Sequence, residues 1–331
     1  MAHDVIVCGD ARRMDAVAGD SVHLVVTSPP YNVGKTYVNH DDRLPLDEYL
    51  DFLNQVWREC YRVLAPGGRL CINVANTDRK PYLPLNALIT AELLRMARDE
   101  DLCWQMRGEI IWDKRASVGV STAWGSFASS ADPVLRDVHE YIMVFSKKQF
   151  RLQDGGKTGI SGGQFVDWTR SIWRPEEIGD RSPVIGDQSP VDREGAVELG
   201  NEPAGRSLME LQRKLAGKLK EARRRNKDDE WMAESLARAA WQYFSEPGEG
   251  VWPMTTESGV AHPAPFPVEL PRRLILLYTK PDDLVLDPFM GAGATAVAAV
   301  QTKRHFVGYD LSEEYCALAR RRVEDCRLVK R

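Results

Sequence analysis

The stretch that most constrains the fold runs from Leu284 to Asp310. Leu284-Val285-Leu286-Asp287 reads as a buried strand. Pro288-Phe289-Met290-Gly291-Ala292-Gly293-Ala294-Thr295 is a tight glycine-rich loop that opens a helix. The helix begins with the small residues Ala296-Val297-Ala298-Ala299-Val300, which let it pack close to a sheet, and His305-Phe306-Val307-Gly308-Tyr309 is a second strand ending at Asp310. Strand, crossover helix and strand in this order make a parallel pair, and parallel sheets need cover on both faces. Strand alternating with helix predicts a doubly wound α/β sheet.

The same grammar recurs upstream. Strands are expected at Asp4–Cys8, Val22–Val26, Arg69–Val74, Gly108–Asp113 and Glu140–Phe145. A short helix is expected over Arg12–Val17. Longer helices are expected over Leu46–Leu64, with Leu46, Leu50, Leu53, Trp57, Tyr61 and Leu64 on one face, and over Leu83–Arg98. Ala65-Pro66-Gly67-Gly68 reads as the turn between helix and strand. Residues 151–205 turn rich in Gly, Pro, Ser, Asp and Arg, and residues 206–246 become helical and strongly charged. A helix near Leu270–Tyr278 then returns the chain to α/β grammar. The expectation is an α/β fold: a mostly parallel, doubly wound, Rossmann-like sheet built from residues 1–150 and 251–331 and interrupted by an inserted region, 151–250.

Two strand ends carry candidate chemistry. In the glycine-rich loop the backbone can approach a ligand closely, and Asp310 lies about 20 residues on, where a carboxylate bonds ribose hydroxyls. An adenosine-containing cofactor is implied. For a dinucleotide the loop lacks the third glycine, and Asp287 would repel a pyrophosphate. It would suit the positive charges of S-adenosylmethionine. The other strand end is Thr27-Ser28-Pro29-Pro30-Tyr31-Asn32, where two successive prolines stop the ladder and fix a rigid, extended turn.

The 331 residues suffice for a large core, and 43% hydrophobic with 28% charged content is ordinary for a water-soluble globular protein. No apolar run approaches the ~20 residues of a membrane span, and the beginning at Met1 shows no signal peptide. The six cysteines form no C-x-x-C pair, which argues against zinc or a disulfide framework and for a reducing compartment. The net charge is −4, so a nucleic-acid partner would need a local basic face.

Together these residues resemble the amino-group DNA methyltransferases in the permuted order called the β class. Ser28-Pro29-Pro30-Tyr31 matches that family's catalytic motif, Asp287-Pro288-Phe289-Met290-Gly291-Ala292-Gly293 its cofactor loop, and Asp310 its ribose-binding acid. His262-Pro263-Ala264-Pro265-Phe266-Pro267 resembles the segment flanking the methionine moiety, Arg62–Gly68 the helix-to-strand turn, and Gly9-Asp10 the motif whose acid lies near the adenine. The resemblance covers about residues 3–150 and 250–325. It implies S-adenosyl-L-methionine as methyl donor, held by Asp10, His262, Pro263, Pro265, Phe266, Asp287, Pro288, Phe289, Gly291, Gly293, Thr295 and Asp310. It implies double-stranded DNA as substrate, with the target base flipped out.

Serine at the first position of the catalytic motif goes with cytosine N4 in this family and aspartate with adenine N6; adenine N6 stays open as the alternative. A non-catalytic DNA-binding regulator that keeps the fold is a more distant reading. C5-cytosine chemistry would need a thiolate, and no Pro-Cys pair occurs. The resemblance further implies a cytoplasmic, nucleoid-associated protein of a restriction-modification system. A homodimer and a cognate restriction endonuclease are open as partners. Asp10 has the competing reading of a helix cap, and His262 that of a turn histidine.

For the DNA, Lys214, Lys218, Arg223, Arg224 and Arg225 form a basic helical cluster on an acidic protein, a candidate phosphate-contacting face or else a solvated one. Arg170 and Arg174, beside Trp168 and Trp173, and Lys35 in the polar loop after the Pro-Pro turn are further candidates.

Overall fold

The computed structural model describes residues 3–32, 43–77, 81–100, 102–113, 130, 139–173 and 266–328. The chain divides into two compact units, residues 1–175 with 254–331, and residues 176–253. The first holds an eight-stranded sheet. Its elements are β1 (Val5–Cys8), β2 (Val22–Thr27), α1 (Leu46–Val63), β3 (Leu64–Val74), α2 (Leu85–Asp99), β4 (Trp104–Asp113), β5 (His139–Lys147), α3 (Gly162–Trp168), β6 (Ile172–Trp173), α4 (Glu269–Tyr278), β7 (Leu284–Asp287), α5 (Ala294–Gln301), β8 (His305–Asp310) and α6 (Glu313–Leu328).

The strand order is β1-β8-β7-β2-β3-β5-β4-β6. The pairs from β1 to β3 are all parallel, and β5 alone runs antiparallel to its neighbours β3 and β4. The chain leaves β7 toward β8 on one side and leaves β2 toward β3 on the other. The boundary between β7 and β2 is therefore a topological switch point, where open α/β sheets leave a crevice at their carboxyl ends.

Both faces are covered. One core packs Leu53, Val56 and Trp57 of α1 and Leu93 and Met96 of α2 on Val25, Leu70, Ile72 and Leu286. The other packs Leu270 and Leu274 of α4, Ala296, Ala298 and Ala299 of α5 and Ala319 of α6 on Leu24, Val26 and Val285. The small residues of α5 do what their size suggests, since Ala296, Ala298 and Ala299 are fully buried. Among the described residues no helix is long and apolar enough to cross a membrane, and no group of His, Cys, Asp and Glu could hold a metal ion.

Three local expectations are corrected. The helix expected over Arg12–Val17 is absent, and these residues form turns and bends instead. The side chains of α1 take their backbone groups instead: Arg62 donates to the Met14 and Val17 carbonyls at 2.9 and 3.0 Å, and Glu59 accepts from the Met14 amide at 2.9 Å. The turn at 65–68 is not a break, because α1 runs directly into β3 and the extra residues form an irregularity in its pairing with β2. Gly67 there has φ +82°, and an added Cβ would overlap the backbone of Arg151. Finally, residues 151–173 belong to the sheet-bearing unit, with β6 pairing in parallel at the edge beside β4.

Candidate active site

The four parallel strands β1, β8, β7 and β2 end side by side, and each end carries a residue singled out from the sequence: Asp10, Asp310, the glycine-rich loop and Ser28. Parallel direction makes this possible, because it puts every carboxyl end on one rim.

The glycine-rich loop turns through two left-handed residues, Gly291 (φ 48°) and Gly293 (φ 84°). Gly293 is the N-cap of α5, and an added Cβ would come within 2.7 Å of the Ala319 Cβ. Both the conformation and the close approach of α6 call for glycine. Asp310 is tied to this loop. Its Oδ2 accepts from the Gly291 amide at 2.9 Å and its Oδ1 from the Ser312 amide at 2.8 Å. Each oxygen keeps a further lone pair, so two vicinal ribose hydroxyls can be bound without breaking either bond. Burial raises the pKa of Asp310, and the two backbone amides oppose that rise. This donor set fits an adenosine-bearing cofactor. Asp310→Ala is expected to weaken S-adenosylmethionine binding about 10–100-fold, the worth of hydrogen bonds to a charged group; unchanged affinity by calorimetry would refute the role.

Asp10 follows β1, and the Gly9 amide donates to the Asp310 carbonyl at 2.9 Å, which keeps the two acids adjacent in the backbone. The Asp10 carboxylate is engaged by Arg12, with its backbone amide at 2.9 Å and its guanidinium at 2.6 Å. Burial works against the charged form, but these Arg12 bonds hold Asp10 below the usual carboxylate pKa. The helix-cap reading of Asp10 lapses with the helix.

Asp287 is fully buried. Its Oδ1 accepts from the Thr27 hydroxyl at 2.7 Å and the Phe289 amide at 3.0 Å, and its Oδ2 from the Thr295 hydroxyl at 2.7 Å. Burial lifts its pKa to about 6, against the pull of Thr295 and Thr27. The expected role beside a ligand's positive charge thus meets a carboxylate whose oxygens are already occupied from within the protein. What the sequence did not signal is Thr27: this hydroxyl joins the Pro-Pro turn to the cofactor-type loop across 260 residues of chain. Pro288 is buried, and Phe289 is half-buried with its ring centre 6.0 Å from Phe52 and 6.3 Å from Trp57 of α1. Phe266, two residues before the turn into α4, is half-buried against the second core.

The Pro-Pro turn is held at several points. The Tyr49 hydroxyl of α1 donates to the Pro30 carbonyl at 2.7 Å. Asn32 takes the left-handed conformation (φ 56°), and its amide makes two 2.8 Å bonds with the Leu44 backbone. Asparagine tolerates that conformation better than most side chains. Ser28 Oγ lies 3.0 Å from Tyr31 Oη, which donates to Glu140 Oε2 at 3.2 Å. Asn73 Nδ2 donates to the same Glu140 oxygen at 2.6 Å and to Tyr31 Oη at 3.3 Å. Burial, reinforced by the charge of Glu140, raises the Tyr31 pKa well above its ordinary value. Asn73 and Glu140 were missed in the sequence. Their one signal is a polar residue inside an apolar strand, Asn73 in Leu70–Val74 and Glu140 before Tyr141–Phe145.

Of the candidate DNA contacts, Arg170 is exposed and pairs with Asp167 at 3.3 Å. Lys35, Arg174, Lys214, Lys218, Arg223, Arg224 and Arg225 lie outside the described residues, as do His262, Pro263 and Pro265.

A DNA methylase family of N6/N4 type matches residues 22–321. The Type II methyltransferase M.MjaVI of Methanocaldococcus jannaschii is 34% identical over 154 residues, 46% of this chain and 76% of that protein. The DNA adenine methyltransferase YhdJ of Escherichia coli is 23% identical over 96% of this chain and 82% of its own. Among solved structures, TTHA0409 of Thermus thermophilus, a putative DNA modification methylase complexed with S-adenosyl-L-methionine, superposes with TM-score 0.57 at 23% identity, covering 97% of this chain and 95% of that one. The cytosine-N4-specific PvuII DNA methyltransferase gives TM-score 0.56 at 16% identity, over 99% and 92% of the two chains. At these identities the two structures establish a shared fold.

Proposed function

The chain belongs to the N6/N4 family of DNA methylases, and on that premise we propose that it methylates the exocyclic N4 of cytosine at a specific site in double-stranded DNA. S-adenosyl-L-methionine, the methyl donor of this family, supplies an electrophilic methyl group on a sulfonium when bound. The observation that carries the reading is the Thr27–Asp287 bond at 2.7 Å, which fixes the Ser28 turn against the glycine-rich loop at the switch point of the sheet.

The chain's own residues supply positioning. An exocyclic amine is a poor nucleophile because its lone pair is delocalised into the ring. Two acceptors aimed at its hydrogens favour the tetrahedral geometry that frees the pair. Ser28 Oγ is one and the Pro29 carbonyl the other. The neighbouring Pro30 carbonyl is taken by Tyr49. Because the prolines, Tyr49 and Asn32 hold the turn beforehand, neither acceptor reorganises during reaction, which is where fixed dipoles contribute most. The Tyr31 ring offers its face to the flipped base, a stacking contact worth roughly 1–3 kcal/mol. Asp310, Gly291, Gly293 and the Phe289 wall would hold the cofactor, and bringing its methyl group to the amine in this way would supply a large part of the rate.

The choice of cytosine rests on Ser28, the residue that accompanies N4 specificity in this family. Adenine N6 is the competing reading, favoured by the likeness to YhdJ. Mass spectrometry of nucleosides from DNA treated with the protein separates them: N4-methylcytosine is expected, and N6-methyladenine would overturn the base assignment. The Type II relatives support a place in a restriction-modification system. There methylated DNA resists an endonuclease of the same site, and methylation-sensitive sequencing of DNA from expressing cells would give that site.

The basic cluster at Arg223, Arg224 and Arg225 is proposed to neutralise DNA phosphates. Replacing all three with glutamine should lower the slope of log affinity against log salt by about 0.9 per lost contact. An unaltered slope in titrations across salt concentrations would rule the cluster out.

A further inference from the structure

The network behind the Pro-Pro turn has a direction that substrate positioning alone does not need. From Ser28 Oγ it passes to Tyr31 Oη at 3.0 Å and from there to Glu140 Oε2 at 3.2 Å. It therefore leads from the proposed amine acceptor inward to a carboxylate, and Glu140 is only 7% exposed. Burying a carboxylate costs several kcal/mol unless hydrogen bonds answer it. Asn73 holds this one with a 2.6 Å bond from its amide, and the same nitrogen reaches Tyr31 Oη at 3.3 Å, which fixes the phenol relative to the acid.

We propose that Glu140 is the terminal proton acceptor of the methyl transfer, reached from the target amine through the hydroxyls of Ser28 and Tyr31. The inference rests on the reading of Ser28 as the residue that receives the amine hydrogen.

The N–CH₃ bond forms as the S–CH₃ bond breaks, and the bonding pair of the latter stays on sulfur, which becomes a neutral thioether. The amine nitrogen, now positively charged, gives one proton to Ser28 Oγ. The Ser28 proton moves to Tyr31 Oη, and the Tyr31 proton moves to Glu140 Oε2. Both hydroxyls end as they began. The positive charge that left sulfur and the negative charge of Glu140 cancel, and the neutral acid returns its proton to water after product leaves. The high pKa of Tyr31 fits a relay that passes a proton on without resting as phenolate. Glu140 touches no reacting atom in this scheme, so it is a positioning and proton-accepting residue acting through Tyr31.

The test compares wild type with Glu140→Gln, Tyr31→Phe and the double variant in single-turnover methyl transfer at saturating DNA and cofactor. Each single change should lower the rate about 10²-fold, in the range of positioned acid–base groups, with KM for DNA and cofactor affinity within about twofold. The double variant should be no slower than either single one, because a chain is broken by its first gap.

A readout without cofactor comes from ¹³C-tyrosine spectra, with the Tyr31 signal identified by its loss in Tyr31→Phe. Tyr31 should ionise at lower pH in Glu140→Gln than in wild type. Tyr31→Phe keeps the ring and its stacking face. If it transfers methyl at the wild-type rate, the relay is overturned, whatever Glu140→Gln does to folding. Single-variant losses that multiply in the double variant would overturn it too. A wild-type protein that methylates no DNA would instead sink the underlying functional reading.

Discussion

Ser28→Ala is expected to lower the single-turnover rate of methyl transfer by about 10²–10³-fold, the loss typical of removing one preorganised polar group from a reacting centre. Cofactor affinity and DNA affinity should stay within about twofold. The selectivity follows from how the turn is held. Its shape depends on two prolines, on the Tyr49 bond to the Pro30 carbonyl and on the Asn32 clamp of Leu44, none of which uses the Ser28 hydroxyl. The Ser28 side chain bonds Tyr31 and so faces the polar network instead of the core. Alanine therefore removes an acceptor without moving the backbone. Rapid-quench assays with labelled cofactor would read the rate and calorimetry the affinity. A wild-type rate would end the acceptor role, and a parallel loss of cofactor binding would show that the serine shapes the pocket instead.

Asp287→Ala should destabilise the fold by about 3 kcal/mol. It strands the Thr27 and Thr295 hydroxyls, both in buried residues, and the Phe289 amide. Each orphaned buried group costs ~1–3 kcal/mol, partly offset by removal of a buried charge. Asp287→Asn keeps an acceptor at the Thr27 and Phe289 position and a polar atom facing Thr295, so it should retain most of the stability at pH 7.

The pH dependence distinguishes the two forms further. The folded pKa of about 6 lies above the ordinary value of 3.8, so the folded protein binds this proton more tightly than the unfolded chain. The stabilising contribution is complete below pH ~4 and is lost as pH rises through 6, amounting to roughly 3 kcal/mol. Urea unfolding midpoints of wild type and Asp287→Asn should therefore diverge between pH 4 and 7, the asparagine variant lacking that decline. Parallel curves for the two proteins would refute the buried, bond-saturated carboxylate.

Much of the fold could be read from the sequence because its signals are local. Strand Leu284–Asp287, the glycines and the small residues of α5 specify a βαβ unit whatever lies around them. The apolar positions of α1 were nearly right, with the buried centre falling on Leu53, Val56, Trp57 and Cys60. The segment Arg12–Val17 forms no helix, because the partners that satisfy its backbone, Glu59 and Arg62, lie more than 40 positions away. The membership of β6 in the sheet was hidden for a similar reason: two residues, Ile172 and Trp173, are too few to show a period.

The site divides along the same line. Sequence by itself determined which residue types stand at the strand ends: the rigid Ser28-Pro29-Pro30-Tyr31 turn, the tight Gly291–Gly293 loop and the acid at Asp310. Backbone constraint and short-range spacing express these. Only the tertiary structure decided that β2 lies beside β7, so that Thr27 meets Asp287 and Tyr31 meets Glu140 and Asn73. Hydrogen bonds across 109 and 260 positions leave no trace in local pattern. A single Thr, Asn or Glu acquires its meaning from the strand order that closes around it.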